Sequence, residues 1–215
     1  GKGTDRRRDG KKGKEGKLSV QFSSSSEFSK AYMTPEFQNT YGNKKDMYES
    51  WGEKLLTPTS YDPKKDFFNT GTNFINSVTL TTGTKSNQTF ASVSTNSKGI
   101  VPNNEYERLN FTIRNTATFL NDKLQLDLGA SYVKQKDKNM VSQGQYWNPV
   151  MAAYLFPRGE DFDGIKSFEH FDESRQLPVQ YWPVADPVYA SQNPYWTAYR
   201  NVATNEKSRY MFNVG

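Results

Sequence analysis

Leu109-Asn110-Phe111-Thr112-Ile113-Arg114-Asn115-Thr116-Ala117-Thr118-Phe119, followed after four residues by Leu124-Gln125-Leu126-Asp127-Leu128-Gly129-Ala130-Ser131-Tyr132-Val133, decides the fold. Leu109, Phe111, Ile113, Ala117 and Phe119 alternate with Asn110, Thr112, Arg114, Thr116 and Thr118. The second run sets Leu124, Leu126, Leu128, Ala130 and Tyr132 against polar or small neighbours. Successive side chains of a strand point to opposite faces, so each run is a strand with one apolar and one polar side. The runs over 107–119 and 123–135 reach about 40 Å at the usual rise, well beyond the five or six residues of an ordinary globular strand.

The same alternation recurs outward from this pair. Leu18, Val20 and Phe22 oppose Ser19, Gln21 and Ser23; Phe74, Val78 and Leu80 alternate less cleanly with Asn73, Ile75, Ser77 and Thr79. Tyr210, Phe212 and Val214 alternate with Met211 and Asn213, and in a weaker run over about 87–97 Phe90, Ala91 and Val93 settle on no single face. Short Gly/Asn/Asp links at Gly83–Asn87 and Asn121–Asp122 predict antiparallel hairpins. Residues 24–71 and 137–205 lack clean periodicity and read as long connections, with a helical turn or two over 144–156. The pattern predicts an all-β chain of about six antiparallel strands with short links at one end and long loops at the other.

Two architectures fit: a soluble sandwich or sheet with its apolar side turned to a core, or part of a transmembrane β-barrel with apolar residues outward and polar residues toward a water-filled lumen. The uniformly Asn, Thr, Ser, Gln, Arg and Asp polar side favours the barrel. Six strands do not close one, since such barrels begin at about eight. That reading therefore makes the chain a piece of a larger one, in keeping with the missing initiator Met and signal segment.

Composition narrows the function. Only 34% of the 215 residues are hydrophobic and mean hydropathy is −0.88, yet 14% are aromatic, more than a disordered chain carries. With no Cys, disulfides, thiolate zinc sites and thiol catalysis are excluded, and a single His170 gives no multi-His metal centre. The net charge of +5 is local: residues 1–17 hold eight basic and three acidic side chains, and the remainder balances. Residues 1–16 read as a solvated basic linker; nucleic-acid binding, the other reading of such a run, lacks interleaved stacking aromatics. No nucleophile elbow, phosphate loop or dinucleotide fingerprint occurs, so no enzyme and no cofactor are expected.

Several ordered segments carry a resemblance. Lys12-Gly13-Lys14-Glu15-Gly16-Lys17-Leu18-Ser19-Val20 resembles the plug-to-barrel junction of SusC/RagA-type TonB-dependent transporters. Pro35-Glu36-Phe37-Gln38-Asn39, Tyr41-Gly42, Ser50-Trp51-Gly52, Tyr61-Asp62-Pro63 and Lys65-Asp66-Phe67-Phe68-Asn69-Thr70-Gly71 are similar to segments of that family in the same order. So are Lys98-Gly99-Ile100-Val101-Pro102-Asn103, Gln145-Tyr146-Trp147-Asn148-Pro149, Leu155-Phe156-Pro157-Arg158-Gly159 and Asn193-Pro194-Tyr195-Trp196. The resemblance runs over about 12–215, with Arg6-Arg7-Arg8 departing from the plug ending it would imply. It implies an outer-membrane importer of a Gram-negative bacterium, in which 17–215 form the first part of the barrel and the long loops lie outside the cell. It further implies a SusD-like surface lipoprotein as lid, an oligosaccharide or peptide substrate, and energy delivered through TonB. The rival functions are a soluble carbohydrate-binding β-sandwich and a structural or adhesive surface protein.

Residues 144–200 concentrate thirteen aromatics. Tyr146, Trp147, Trp182 and Trp196 are the candidates for substrate or partner contact, because flat amphipathic rings stack on sugars and anchor interfaces. Loop packing or a membrane-interface girdle is the competing role for the whole group. Glu160, Asp161 and Asp163 form an acidic run whose spacing fits no calcium loop, and Arg158 is expected to pair with a carboxylate inside its own loop.

Overall fold

The computed structural model describes residues 17–45, 47–83, 86–121, 123–144, 146–184 and 191–215, without the side chains of Ser86 and Asn87. The basic run 1–16, Asp122, Gln145 and Tyr189 lie outside the described residues. Six strands form one antiparallel sheet: β1 (Leu18–Ser29), β2 (Gly71–Gly83), β3 (Ser86–Lys98), β4 (Glu105–Phe119), β5 (Leu124–Lys138) and β8 (Thr204–Val214), neighbours in that order. The chain is thus all-β in its framework. The sheet is open, with β1 and β8 as its edges. Short helices α1 (Pro63–Asp66), α2 (Pro149–Tyr154) and α3 (Pro194–Tyr199), and a hairpin of β6 (Glu169–Asp172) and β7 (Leu177–Gln180), occupy the long connections.

Register fixes which residues share a side. Val20 pairs with Leu80, Leu80 with Phe90, Phe90 with Ile113, Ile113 with Ala130 and Ala130 with Phe212, so one row of large side chains crosses the whole sheet. The row Phe22, Val78, Ser92, Phe111, Tyr132 and Tyr210 lies beside it. Every exposed large hydrophobic residue of the sheet except Ile75 and Met211 lies on this apolar side. Edge-to-face Phe90–Phe111 (4.7 Å) and stacked Tyr132–Tyr210 (4.9 Å) tie adjacent strands across it. Above Tyr132 on β4, β5 and β8 the same side turns charged, with Lys136–Glu206 (3.1 Å) and Lys138–Glu105 (3.7 Å) ion pairs. The opposite side carries Ser, Thr, Asn and Gln along every strand.

Ser29 pairs with Gly71, Lys98 with Glu105 and Lys138 with Thr204, so both long connections leave from one end of the sheet. The other end has tight links. Between β4 and β5, Leu120 and Asn121 take φ of 54° each, the paired left-handed geometry whose twist matches antiparallel strands. The expected loops are shorter than their 24–71 and 137–205 bounds: β1 continues through Ser29, and β5 through Lys138. Serines at 23–26 fall on both sides of β1 and so erase the period there. The weak 87–97 run is a complete strand for the same reason, held by pairing on both flanks.

The buried core lies in the loops. Tyr61, Phe67, Val101, Ala153, Phe156, Phe162 and Ile165 form it, with Phe68, Ile100, Val150, Trp182 and Tyr195 packed around. They come from the 30–70, 99–104 and 139–203 connections, which together make a cap on one end of the sheet.

Candidate functional site on the loop cap

Three Asx-Pro steps start the cap helices. Asp62, Asn148 and Asn193 each accept hydrogen bonds from the first backbone N–H groups, and the following proline occupies a position where no N–H is needed. Asn193 is fully buried and also donates through Nδ2 to the carbonyls of Ile165 and Tyr181, both at 2.8 Å. Asn148 ties its own loop shut, donating to the Ser142 and Gly144 carbonyls at 3.0 and 2.9 Å.

The two long loops meet at Pro157-Arg158-Gly159-Glu160. Arg158 is 4% exposed; Nη1 donates to the Tyr61 carbonyl at 3.0 Å, and its guanidinium lies 4.3 Å from the Phe37 ring centroid and 5.2 Å from that of Tyr61. The expected carboxylate pairing is therefore not what holds it: aromatic faces and a carbonyl do, because the Glu160, Asp161 and Asp163 side chains turn to other partners. Burial lowers the Arg158 pKa, the nearby Tyr61 and Asp62 acting in the opposite direction. Gly159 N–H donates to Asn43 Oδ1 at 2.9 Å, and Asn43 Nδ2 donates to Glu160 Oε1 at 3.1 Å. A Cβ on Gly159 would collide with Asn43, so that approach requires glycine.

Around this clasp the aromatics interlock. Tyr61 stacks on Phe162 at 3.8 Å, Phe156 meets Phe162 edge-on at 5.2 Å, and Trp182 lies 5.7 Å from Phe156. Tyr61 donates its hydroxyl to the Ala153 carbonyl at 2.9 Å, and burial raises its pKa strongly. Burial likewise pushes Tyr195 up to about 12. Both phenols are structural groups, neutral across the physiological range.

The four candidate aromatics do not converge. Tyr146 and Trp147 are adjacent and exposed, at 58% and 61%, on the loop that Asn148 closes. Trp147 holds φ at 55°, a left-handed backbone unusual for so large a residue. Trp182 instead is half-buried against the cap core, and Trp196 is half-buried in α3. Among the described residues no ring contact joins any two of the four. Residues passed over in the sequence are more open: Trp51 is 75% exposed with Tyr41 6.0 Å away, and Tyr32 is 83% exposed. Trp51 sits on a small hairpin in which Gly42 N donates to Glu53 O and Gly52 N to Gly42 O. The Gly residues flanking this aromatic pair were the available signal.

Several charged groups of the cap are paired locally, whereas Arg158 Nη2 is buried with no hydrogen-bond partner among the described residues. Asp163 is bound by Lys166 at 2.5 Å, and Asp161 Oδ1 accepts from the Asp163 N–H at 3.0 Å. Among the described residues no His, Asp and Glu gather as a metal site. Arg200 forks onto Glu169 through Nε–Oε2 (2.6 Å) and Nη2–Oε1 (2.5 Å), which holds Glu169 below the usual carboxylate range. The Ser174 hydroxyl does the same for Asp172, aided by the Arg175 and Ser174 N–H groups. His170 is exposed on β6 opposite Val179. What the cap offers chemically is a display of open aromatic planes: Tyr146–Trp147 on one loop, Tyr41–Trp51 on the other.

No helix among the described residues is long and apolar enough to cross a membrane, which leaves strands untested. Comparison with known protein families and with characterised proteins finds no match to this chain.

Proposed function

We propose that this chain is part of an outer-membrane β-barrel importer of the TonB-dependent, SusC/RagA type. One observation carries the reading: long antiparallel strands are apolar on one side and hydroxyl- and amide-rich on the other, and both long connections leave from the same end. On β4 the apolar run from Leu109 to Phe119 extends about 34 Å; tilted by about 40° it rises about 26 Å, close to the ~25 Å belt of outer-membrane barrels. The paired charges above Tyr132 stand where such a strand would leave hydrocarbon. A sandwich would bury this side against a second sheet, and the second sheet described here is the short β6–β7 hairpin within the cap.

In this reading further strands complete the barrel, the polar side lines its lumen and the cap faces outward. The ordered landmarks support the family assignment, and with it a SusD-like lid over the cap, an oligosaccharide or peptide substrate and coupling to TonB through a part of the protein beyond this chain. Trp147 with Tyr146, and Trp51 with Tyr41, are the surfaces for substrate or lid. Function is import, with no bond chemistry assigned to any residue. The test is electrophoresis of the full-length protein from its native membrane, with and without boiling. Migration that shifts on heating, in a species that needs detergent, is the expected result. A 24.6 kDa species soluble without detergent overturns the reading.

A further inference from the structure

The ion pairs of the sheet lie on its apolar side, where Lys136 meets Glu206 and Lys138 meets Glu105 near the cap. The polar side is different. Its cations, Arg108, Arg114, Lys207 and Arg209, are exposed and make no ion pair among the described residues. The carboxylates of that side are held by amides instead. Glu27 accepts from Asn73 Nδ2 at 3.4 Å, Asp127 from Gln125 Nε2 at 3.1 Å and Asp137 from Asn205 Nδ2 at 3.3 Å.

Register gathers three of the cations. Arg108, Gln135 and Lys207 form one row across β4, β5 and β8, and Asn110, Val133 and Arg209 form the row beneath it. With strands about 4.8 Å apart and same-side residues about 6.8 Å apart along a strand, the three Cα atoms fall within about 12 Å of one another. Arg108 Nε donates to Asn110 Oδ1 at 3.0 Å, which braces that guanidinium in place. Arg114 lies about 20 Å further along β4, toward the short links.

We propose that this cluster binds a ligand carrying two or more carboxylates, and that such an anion is the imported substrate. The proposal rests on the barrel reading, which turns the polar side toward the lumen and sets the cluster beneath the cap, close to the Lys138–Thr204 pair. Planar guanidinium forks match carboxylates, and a recess lined by one sign of charge concentrates the opposite one. Thr95, Asn110 and Gln135, in the same two rows, add uncharged donors and acceptors for the rest of the ligand. The chain's own leading segment is no substitute for such a ligand. It is basic over residues 1–17, and β1 begins at the far end of the sheet, where Leu18 pairs with Thr82.

The test is calorimetric titration of the detergent-purified full-length protein at low salt. The probes are tetragalacturonate against its methyl ester, and tetraglutamate against tetraglutamine. The variants are Arg108→Gln/Lys207→Gln/Arg209→Gln and, as a control at the same height on the other side, Lys134→Gln. At least one acidic probe should bind about tenfold or more tighter than its neutral counterpart. The triple variant should lose that preference, Lys134→Gln should keep it, and added salt should weaken it. Which acidic probe binds tells a uronate-bearing oligosaccharide from an acidic peptide. Equal binding of acidic and neutral probes, no binding of either acid, or a triple variant that binds as the wild type does overturns the proposal, while a heat shift retained in every variant leaves the barrel reading standing. A wild-type protein that is soluble without detergent and shows no heat shift ends the barrel reading, and this proposal with it.

Discussion

The sheet and its cap solve opposite problems with the same chain. The sheet is regular and periodic and buries almost nothing; Phe22, Phe212 and Val214 stay 67–78% exposed on its apolar side. The cap has no period at all, yet Ala153, Phe156 and Ile165 are at most 1% exposed. Order in the sheet comes from backbone pairing along strands of up to fifteen residues, whereas in the cap it comes from side chains: stacked rings, asparagine clasps and one buried guanidinium. A region that owes its shape to a core should fail when the core is cut; a region that owes its stability to its solvent should fail when the solvent-facing side is altered.

The hardest blow to the cap is Phe156→Ala. It removes a ring in contact with Tyr61, Phe162 and Trp182 and should cost the cap about 3–5 kcal/mol. Limited proteolysis should open the 139–203 loop while, on the barrel reading, the heat shift of the full-length protein persists; loss of both together would show that cap and sheet are one unit. Next is Leu128→Arg, which puts a cation mid-strand on the apolar side and, on the barrel reading, should cost about 2–4 kcal/mol. The same change at Ser131, which faces the other way, should leave the heat shift intact. Equal tolerance at the two positions would break the assignment of sides.

A smaller effect is expected from Asn193→Ala, which loses a helix cap worth about 1 kcal/mol and leaves the Ile165 and Tyr181 carbonyls without that donor. Its signature is a lowered cap melting temperature, read from near-ultraviolet circular dichroism. Trp147→Gly should cost no stability, because glycine accepts a φ of 55° at least as readily, while, on the proposed importer reading, reducing capture of substrate or lid. Undiminished binding would remove Trp147 from the contact surface. The mildest change is with pH. Glu169 and Asp172 titrate below the ordinary carboxylate range, so what they contribute is complete above the unfolded carboxylate value and is lost as pH falls through their own lower values. Hydrogen-exchange protection factors at the β6–β7 hairpin, corrected for the intrinsic pH dependence of amide exchange, should therefore stay flat down to the ordinary carboxylate range and fall only below it.

Legibility in the sequence followed the same division. Leu109–Phe119 and Leu124–Val133 could be read because each second residue changes character, and the register confirms their sides. Ser23 to Ser26 and the β3 run could not, since residues that suit both sides leave no period to see; only Phe74 to Gly83 and Glu105 to Ala117, pairing alongside, make them strands. The cap core was hidden for a different reason. Its members are scattered from Tyr61 to Ile165 and joined by contacts that no local spacing encodes. Trp182 was selected for substrate or partner contact on its residue type and is half-buried against that core, whereas Trp147 was selected on the same ground and is exposed. Arg158 shows the limit most plainly: a cation invites a carboxylate, and Phe37, far away in sequence, takes its place.

The stitch at the root of the larger loop has a kinetic meaning. Asn139 N donates to the Ala203 carbonyl at 2.8 Å, and Ala203 N to Asn139 Oδ1 at 2.9 Å, so the ends of the 139–203 connection are fastened beside the β5–β8 ladder. The β2 to β5 meander needs only local encounters, but β8 finds β5 across that whole connection, and distant encounters are slow to form. Once the cap has condensed, its own folding has already brought residue 204 to residue 138, and the last ladder closes like a short hairpin. In a pulse-labelling experiment, amides of β3 and β4 should gain protection first, the cap second and β8 last.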